Sequence, residues 1–309
     1  MMNAFLNIKL HSLILGAYLK KKLLLRNSLM LNPINSLISI IAAMLLISSV
    51  PALAQRPWRA GPVPVSIPVG DINYEGMIYD VGPESDELKP AIIHIHGWRP
   101  EGEHAGVDAS YYAHYFSDRQ NIMGLVITLR GWPHTGGVND CGLVQPDDVS
   151  KVVEWLSQQP GVDPDRIGIL GESQGGQVGL LTAAINSRVK AVIAFYPLTD
   201  VTTWHEATDL DEGMIDSYVN GVCATPGTKK DRSPLFVADQ INASVLMLHG
   251  EADTRVSIDQ SERMHAALTA EGKDSALIRI DNGTHYYGSP EWDEWVTLDR
   301  VFEWLDGRL

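Results

Sequence analysis

The stretch Arg166-Ile167-Gly168-Ile169-Leu170-Gly171-Glu172-Ser173-Gln174-Gly175 decides how the rest of the chain is read. Residues 166–170 form an apolar run of strand length, and residues 174–185 carry a helical pattern. Between them Ser173 stands in the spacing Gly-x-Ser-x-Gly, that of a tight strand-to-helix turn. Such a turn leaves no room for side chains two residues before and after the serine, and both positions are glycine. The hydroxyl is then held above a sheet, with the first N–H groups and the dipole of the helix directed toward it. A lone Gly-x-Ser-x-Gly arises by chance; the strand before it and the helix after it give it weight.

Working outward, similar apolar runs recur at residues 91–95, 125–129, 191–195, 245–249 and 276–280. Continuous apolar runs suit a parallel sheet covered on both faces. Helical patterns at residues 147–158, 174–185, 257–270 and 292–305 alternate with them, which predicts a doubly wound, mostly parallel α/β domain. Residues 55–70 hold Pro57, Pro62, Pro64 and Pro68 and read as an extended entry segment. Residues 199–240 break the rhythm. They are acidic and turn-rich, without a clear strand, and predict a small helical cap inserted over the strand ends.

The ends of the charge distribution differ. Lys9, Lys20, Lys21, Lys22 and Arg26 are the only charged residues among the first 54, which leaves 19 basic and 38 acidic residues in the remainder. A body this acidic argues against nucleic acid as a partner. After the basic residues comes an uninterrupted apolar run at 37–50, then Pro51 and Ala52-Leu53-Ala54 before Gln55. That order predicts a signal peptide over residues 1–54, cleaved after Ala54, and a secreted or periplasmic catalytic domain over 55–309. The run is shorter than the ~20 residues of a spanning helix, so no stable membrane span is expected after cleavage. The basic cluster lies far from Met1, and Met30 is an alternative start. Cys141 and Cys223, the chain's two cysteines, are either one disulfide, as export permits, or two packed thiols.

A serine at neutral pH needs a base, and the base an orienting acid. On this fold the order is serine, acid, histidine. Asp253 follows the run at 245–249, and His285 follows the run at 276–280, so both loops leave the carboxyl edge of the sheet where Ser173 sits. Glu251 and Asp259 are the competing acids. The two oxyanion donors are read as the backbone N–H groups of Gln174, next to the serine, and of Trp98, after Gly97 in the loop beyond residues 91–95. His94 and His96 form a His-x-His pair, but no further ligand set completes it, and no metal or other cofactor is predicted. Trp98, Trp132, His134 and Trp204 are candidates for a substrate pocket, with ordinary aromatic packing as the alternative. Asn282-Gly283-Thr284 and Asn242-Ala243-Ser244 match glycan acceptors in form; the first reads as a turn that positions His285.

These residues resemble the α/β-hydrolase superfamily, within it the prolyl-oligopeptidase-like and dienelactone-hydrolase-like branches. The resemblance runs from about residue 91 to the C-terminus. It is most specific in Val162-Asp163-Pro164-Asp165-Arg166-Ile167-Gly168 and in His249-Gly250-Glu251-Ala252-Asp253-Thr254-Arg255-Val256. It implies Ser173, Asp253 and His285 as nucleophile, acid and base. The peptidase branch often has tyrosine where this chain has Gln174, and the chain after residue 54 has no room for a β-propeller. The expectation is therefore a hydrolase of carboxylic esters. A small serine peptidase on the same machinery, or a catalytically silent binding protein, is the alternative. The expected partner is a small ester or a short peptide.

Overall fold

The computed structural model describes residues 62–80, 87–98, 110–219, 229–285 and 294–309, which belong to one compact unit spanning residues 60–309. The segment expected to be a signal peptide lies outside the described residues. Among the described residues no helix is long and apolar enough to cross a membrane.

Eight strands form one sheet: β1 Val63–Val69, β2 Ile72–Tyr79, β3 Lys89–Ile95, β4 Met123–Ile127, β5 Val162–Glu172, β6 Val189–Phe195, β7 Ser244–Gly250 and β8 Ser275–Ile280. Their spatial order is β1-β2-β4-β3-β5-β6-β7-β8. β1 and β2 are antiparallel to their neighbours, and every pairing from β4 through β8 is parallel. The six expected strands are thus the six parallel ones. The entry segment is more than extended chain: from Val63 it forms an edge hairpin that turns at Gly70, whose φ is 63°. Pro64 and Pro68 are tolerated because β1 has a partner on one side only, and an edge strand can forgo N–H donors.

The helices are α1 Ser110–Gln120, α2 Gln145–Leu156, α3 Gln174–Ile185, α4 Val201–Trp204, α5 Glu212–Val219, α6 Asp259–Ala270 and α7 Glu294–Leu305. On one face of the sheet α2, α3 and α6 bury Val149, Val152, Val178, Leu180, Met264 and Leu268 with Ile93, Ile95 and Ile169. On the other, α1 and α7 bury Tyr112, Phe116, Leu298, Val301 and Leu305 with Ile92, Leu170 and Ile193. The cap is helical where it is described: α4, α5 and two 3₁₀ turns, Lys230–Arg232 and Pro234–Gln240. Asp148 near the start of α2 does not cap that helix. It is buried and accepts from Tyr74 Oη at 3.0 Å and Arg130 Nε at 2.5 Å, tying α2 to β2 and to the loop after β4.

His94 in β3 is wholly buried against Phe116, with both ring nitrogens lacking hydrogen-bond partners. Burial pushes its pKa from 6.5 down to about 3, so the folded protein holds it neutral. The unfolded chain therefore binds a proton below pH 6.5 that the folded chain refuses, and stability falls with pH until about pH 3. His94→Leu is expected to raise stability at pH 7 by about 1–3 kcal/mol, since unpaired polar atoms are removed from an apolar site. It should also remove up to ~1.4 kcal/mol per pH unit from the acid limb. Urea unfolding of both proteins at pH 7 and pH 5 checks this; an unchanged difference between the two pH values contradicts it.

Candidate active site

β5 ends at Glu172 and α3 begins at Gln174, leaving Ser173 at the junction with φ 51° and ψ −112°. This backbone is outside the regions a side-chain-bearing residue prefers, the strain expected at a nucleophile elbow. It is held by Ser173 N–H donating to Phe195 O at 2.9 Å and by Ser173 O accepting from Gln177 N–H at 3.1 Å. The flanking glycines are sterically required. A Cβ on Gly171 would lie 2.2 Å from Gly175 O, and one on Gly175 would lie 2.2 Å from Ile95 O.

Asp253 and His285 come from the loops after β7 and β8. Those loops are bound to each other by Glu251 N–H to Ile280 O and Ala252 N–H to Gly283 O, both 2.9 Å. Gly250 lies so near Gly283 that a Cβ would meet its carbonyl oxygen at 2.1 Å. Asn282 takes φ 54°, the turn expected from its sequence. The result is a continuous chain: Asp253 Oδ2 lies 2.8 Å from His285 Nδ1, and His285 Nε2 lies 3.1 Å from Ser173 Oγ. The carboxylate only accepts, so Nδ1 carries the ring proton and Nε2 is left to accept from the serine. Asp253 Oδ1 also accepts from the backbone N–H groups of Arg255 and Val256, each at 2.9 Å. Burial pushes this carboxyl's pKa up, but the hydrogen bonds from His249, His285 and the Val256 backbone outweigh it and hold it at about 2.

The competing acids are occupied elsewhere. Glu251 is exposed with Arg279 Nη1 at 3.8 Å, and Asp259 pairs with Arg263 within α6 at 2.8 Å. Gln174 N–H opens α3, where first-turn donors have no partner within the helix. Gly97 packs against Glu172 O and Ser173 Cβ, both 3.4 Å from where its Cβ would be, so the backbone leading to Trp98 passes beside the serine.

Ser173, Gln174 and His285 line a narrow cleft with a cavity volume of about 40 Å³ and apolar walls from Trp98, Leu198, Trp204, Leu210, Met214 and Tyr218. Arg255 also lines it and lies 3.9 Å from Asp209 of the cap. Trp98 and Trp204 thus sit where a pocket residue is expected, and Trp204 is fixed by Nε1–H donating to Arg255 O at 2.8 Å. Trp132 and His134 do not, which corrects their assignment to the pocket. Trp132 is buried edge-on against His96, 4.9 Å between ring centroids, and His134 is exposed in a turn at φ 69°. His96 is committed to backbone: Nε2 accepts from Leu129 N–H at 3.0 Å, and Nδ1 lies 2.8 Å from Gly97 O. The His-x-His reading therefore lapses, and no group of three metal-ligating side chains occurs among the described residues. Cys141 is buried and disulfide-bonded; the one other cysteine, Cys223, lies outside the described residues.

Two site residues escaped the sequence reading. Tyr196, directly after β6, has a strained φ of 39°, packs its ring 4.6 Å from that of His285 and donates its hydroxyl to Glu172 Oε1 at 2.9 Å. His249, near the end of β7, lies 3.3 Å from Asp253 Oδ2. The signal available for Tyr196 was its place at the carboxyl end of a parallel strand.

The sequence pattern of the prolyl oligopeptidase family matches residues 121–309, more than half of the chain. The chain belongs to that family. The prolyl oligopeptidase family is one of α/β-hydrolase fold, and this member has that fold. The uncharacterized peptidase YuxL of Bacillus subtilis is 31% identical over 243 residues, 73% of this chain and 36% of YuxL. This family member thus spans about a third of that relative's length. The acylaminoacyl peptidase of Pyrococcus horikoshii superposes with a TM-score of 0.68 at 22% identity, covering 80% of this chain and 42% of the peptidase. The esterase Est2 of Thermogutta terrifontis superposes with a TM-score of 0.63 at 19% identity, covering 81% of this chain and 96% of the esterase. Both show the shared fold.

Proposed function

We propose that the chain is an exported serine hydrolase that cleaves carboxylic esters with compact apolar acyl groups through Ser173, His285 and Asp253. The observation that carries the reading is the hydrogen-bonded chain Asp253–His285–Ser173 opening into an apolar cleft. His285 Nε2 takes the Ser173 proton as Oγ attacks the acyl carbon, and the resulting oxyanion is held by the N–H groups of Gln174 and Trp98. The proton passes to the leaving alkoxide, and water then releases the acyl enzyme by the same steps in reverse. Neither half-reaction draws on a cofactor.

The likeness to Est2 over nearly all of that esterase's length supports the ester over the amide. Family membership and the peptidase relative support the second reading, a small peptidase on the same three residues. Export is supported by the disulfide at Cys141, a bond favoured in oxidising compartments. An N-terminal sequence beginning at Gln55 in the secreted or periplasmic fraction tests it.

The test of function is a fluorophosphonate probe on wild type and Ser173→Ala, with mass mapping of the adduct. A single adduct at Ser173, absent from the variant, is the expected result; an unlabelled folded wild type, or an adduct elsewhere, refutes the mechanism. Matched ester and amide substrates then decide between the readings. A kcat/KM on the amide comparable to that on the ester favours the peptidase.

A further inference from the structure

His249 closes β7 with its side chain fully buried. Its Nε2 lies 2.7 Å from Val256 O and 3.3 Å from Asp253 Oδ2. Both neighbours only accept, so Nε2 carries the ring proton and Nδ1 is the acceptor of the neutral ring. Nδ1 lies 2.7 Å from the hydroxyl of Ser261, itself buried in α6, and that hydroxyl supplies the matching donor. The tautomer is therefore fixed from the side remote from Asp253, as second-layer partners fix functional imidazoles elsewhere.

Asp253 Oδ1 is pinned by two backbone N–H groups, whereas Oδ2 accepts from His285 on the reaction side and on the sheet side faces His249 Nε2 at 3.3 Å, whose proton ties down Val256 O at 2.7 Å in the same loop. Without the second imidazole, the reacting histidine itself would be the remaining side-chain restraint on Oδ2. We infer that His249 is a positioning residue, which with Ser261 holds the Asp253 carboxylate at the angle that orients His285. The inference rests on the triad reading given above. It assigns the histidine of the His249-Gly250-Glu251-Ala252-Asp253 loop to the acid, not to substrate or metal. The relay runs from α6 through the end of β7 to the loop after β8, so the three segments set one geometry together.

The test compares His249→Leu, His249→Gln and Ser261→Ala with wild type, each counted by fluorophosphonate titration so that kcat refers to competent sites alone. His249→Leu should lose about tenfold in kcat with KM unchanged, the scale of one hydrogen bond to a charged group. His249→Gln keeps an N–H donor and should recover most of the loss, and Ser261→Ala should lose about threefold. A merely structural role lowers stability and yield but leaves kcat per titrated site untouched. Wild-type kcat in His249→Leu, or a loss that His249→Gln does not recover, overturns the inference. If His249→Leu does not fold, Ser261→Ala decides alone, and wild-type kcat in it overturns the inference. Ser173→Ala and Asp253→Asn run alongside. Hydrolysis surviving in Ser173→Ala would sink the triad itself, whereas silence in both with full turnover in His249→Leu would sink only the positioning role.

Discussion

Asp253→Asn should lower kcat by about four orders of magnitude while leaving KM within a few-fold of wild type, the pattern of a group that acts only as charge develops. The cause is the direction of protons. In the wild type the carboxylate accepts from His285 Nδ1 at 2.8 Å and from two backbone N–H groups, with His249 Nε2 at 3.3 Å beside it. Asparagine keeps one oxygen for the backbone donors and turns an NH₂ toward the two histidines. His285 Nδ1 must then become an acceptor, the ring proton moves to Nε2, and Ser173 loses the base that lies 3.1 Å from its hydroxyl. The variant should fold, because its size is unchanged and the backbone donors remain satisfied. Steady-state kinetics at pH 7 checks the loss, and a fall of less than tenfold would remove Asp253 from the mechanism.

The same carboxyl sets a pH expectation. Its pKa is held at about 2, below the unfolded value of 3.8. The stability it contributes is therefore complete above about pH 4 and disappears as pH falls through 2. His94 acts in a higher window that begins at 6.5 and ends at about 3, so moderate acid destabilises the protein through β3 before the site loses its acid.

The parallel strands were legible because strands buried on both faces must be apolar throughout, and each such run in the body of the chain is bounded by polar or turn residues. The elbow was legible because steric exclusion leaves only glycine at positions 171 and 175. The edge hairpin was hidden by Pro64 and Pro68, which break a strand pattern everywhere except at an edge, and edge position is a tertiary fact. Helix α1 was hidden because the stripe it buries is Tyr112, Tyr115 and Phe116, themselves weak helix formers, in a segment that also holds Ser110, His114, Ser117 and Asp118. The run at 125–129 overstated β4, which ends at Ile127: Leu129 is buried after the strand, its N–H turned to His96. Trp132 misled for a related reason. A tryptophan on a loop is equally suited to a pocket and to a core, and here His96 stands beneath the loop to receive its ring. Tyr196 was hard to single out because its role consists of distances to Glu172 and His285, far along the chain, and His249 because its role depends on how the turn after β7 folds Asp253 and Val256 back onto its ring.

Gly175→Ala is expected to destroy both stability and activity through a single methyl group. Gly175 lies in the first turn of α3, with no positive φ, so alanine is favoured there by helix propensity. Space forbids it. The new Cβ would stand 2.2 Å from Ile95 O and 2.7 Å from His96 O, backbone atoms at the end of the central strand β3 that cannot rotate away. Either α3 backs off from β3, or β3 and the Gly97–Trp98 backbone are pushed from Ser173. The first opens the core under the serine and the second displaces a donor proposed for the oxyanion. A loss of about 3–5 kcal/mol is expected, enough to unfold a marginally stable domain, and any folded remainder should turn over at least a hundredfold more slowly. Gly272→Ala is the control: φ there is 69°, but no atom lies within 4 Å of the place a methyl group would take, so only conformational strain of about 1 kcal/mol should appear. Thermal unfolding and ester turnover of the two variants, measured side by side, separate steric exclusion at the elbow from the ordinary cost of replacing a glycine. Equal effects of the two substitutions would mean that close packing of α3 on β3 does not set the geometry of Ser173.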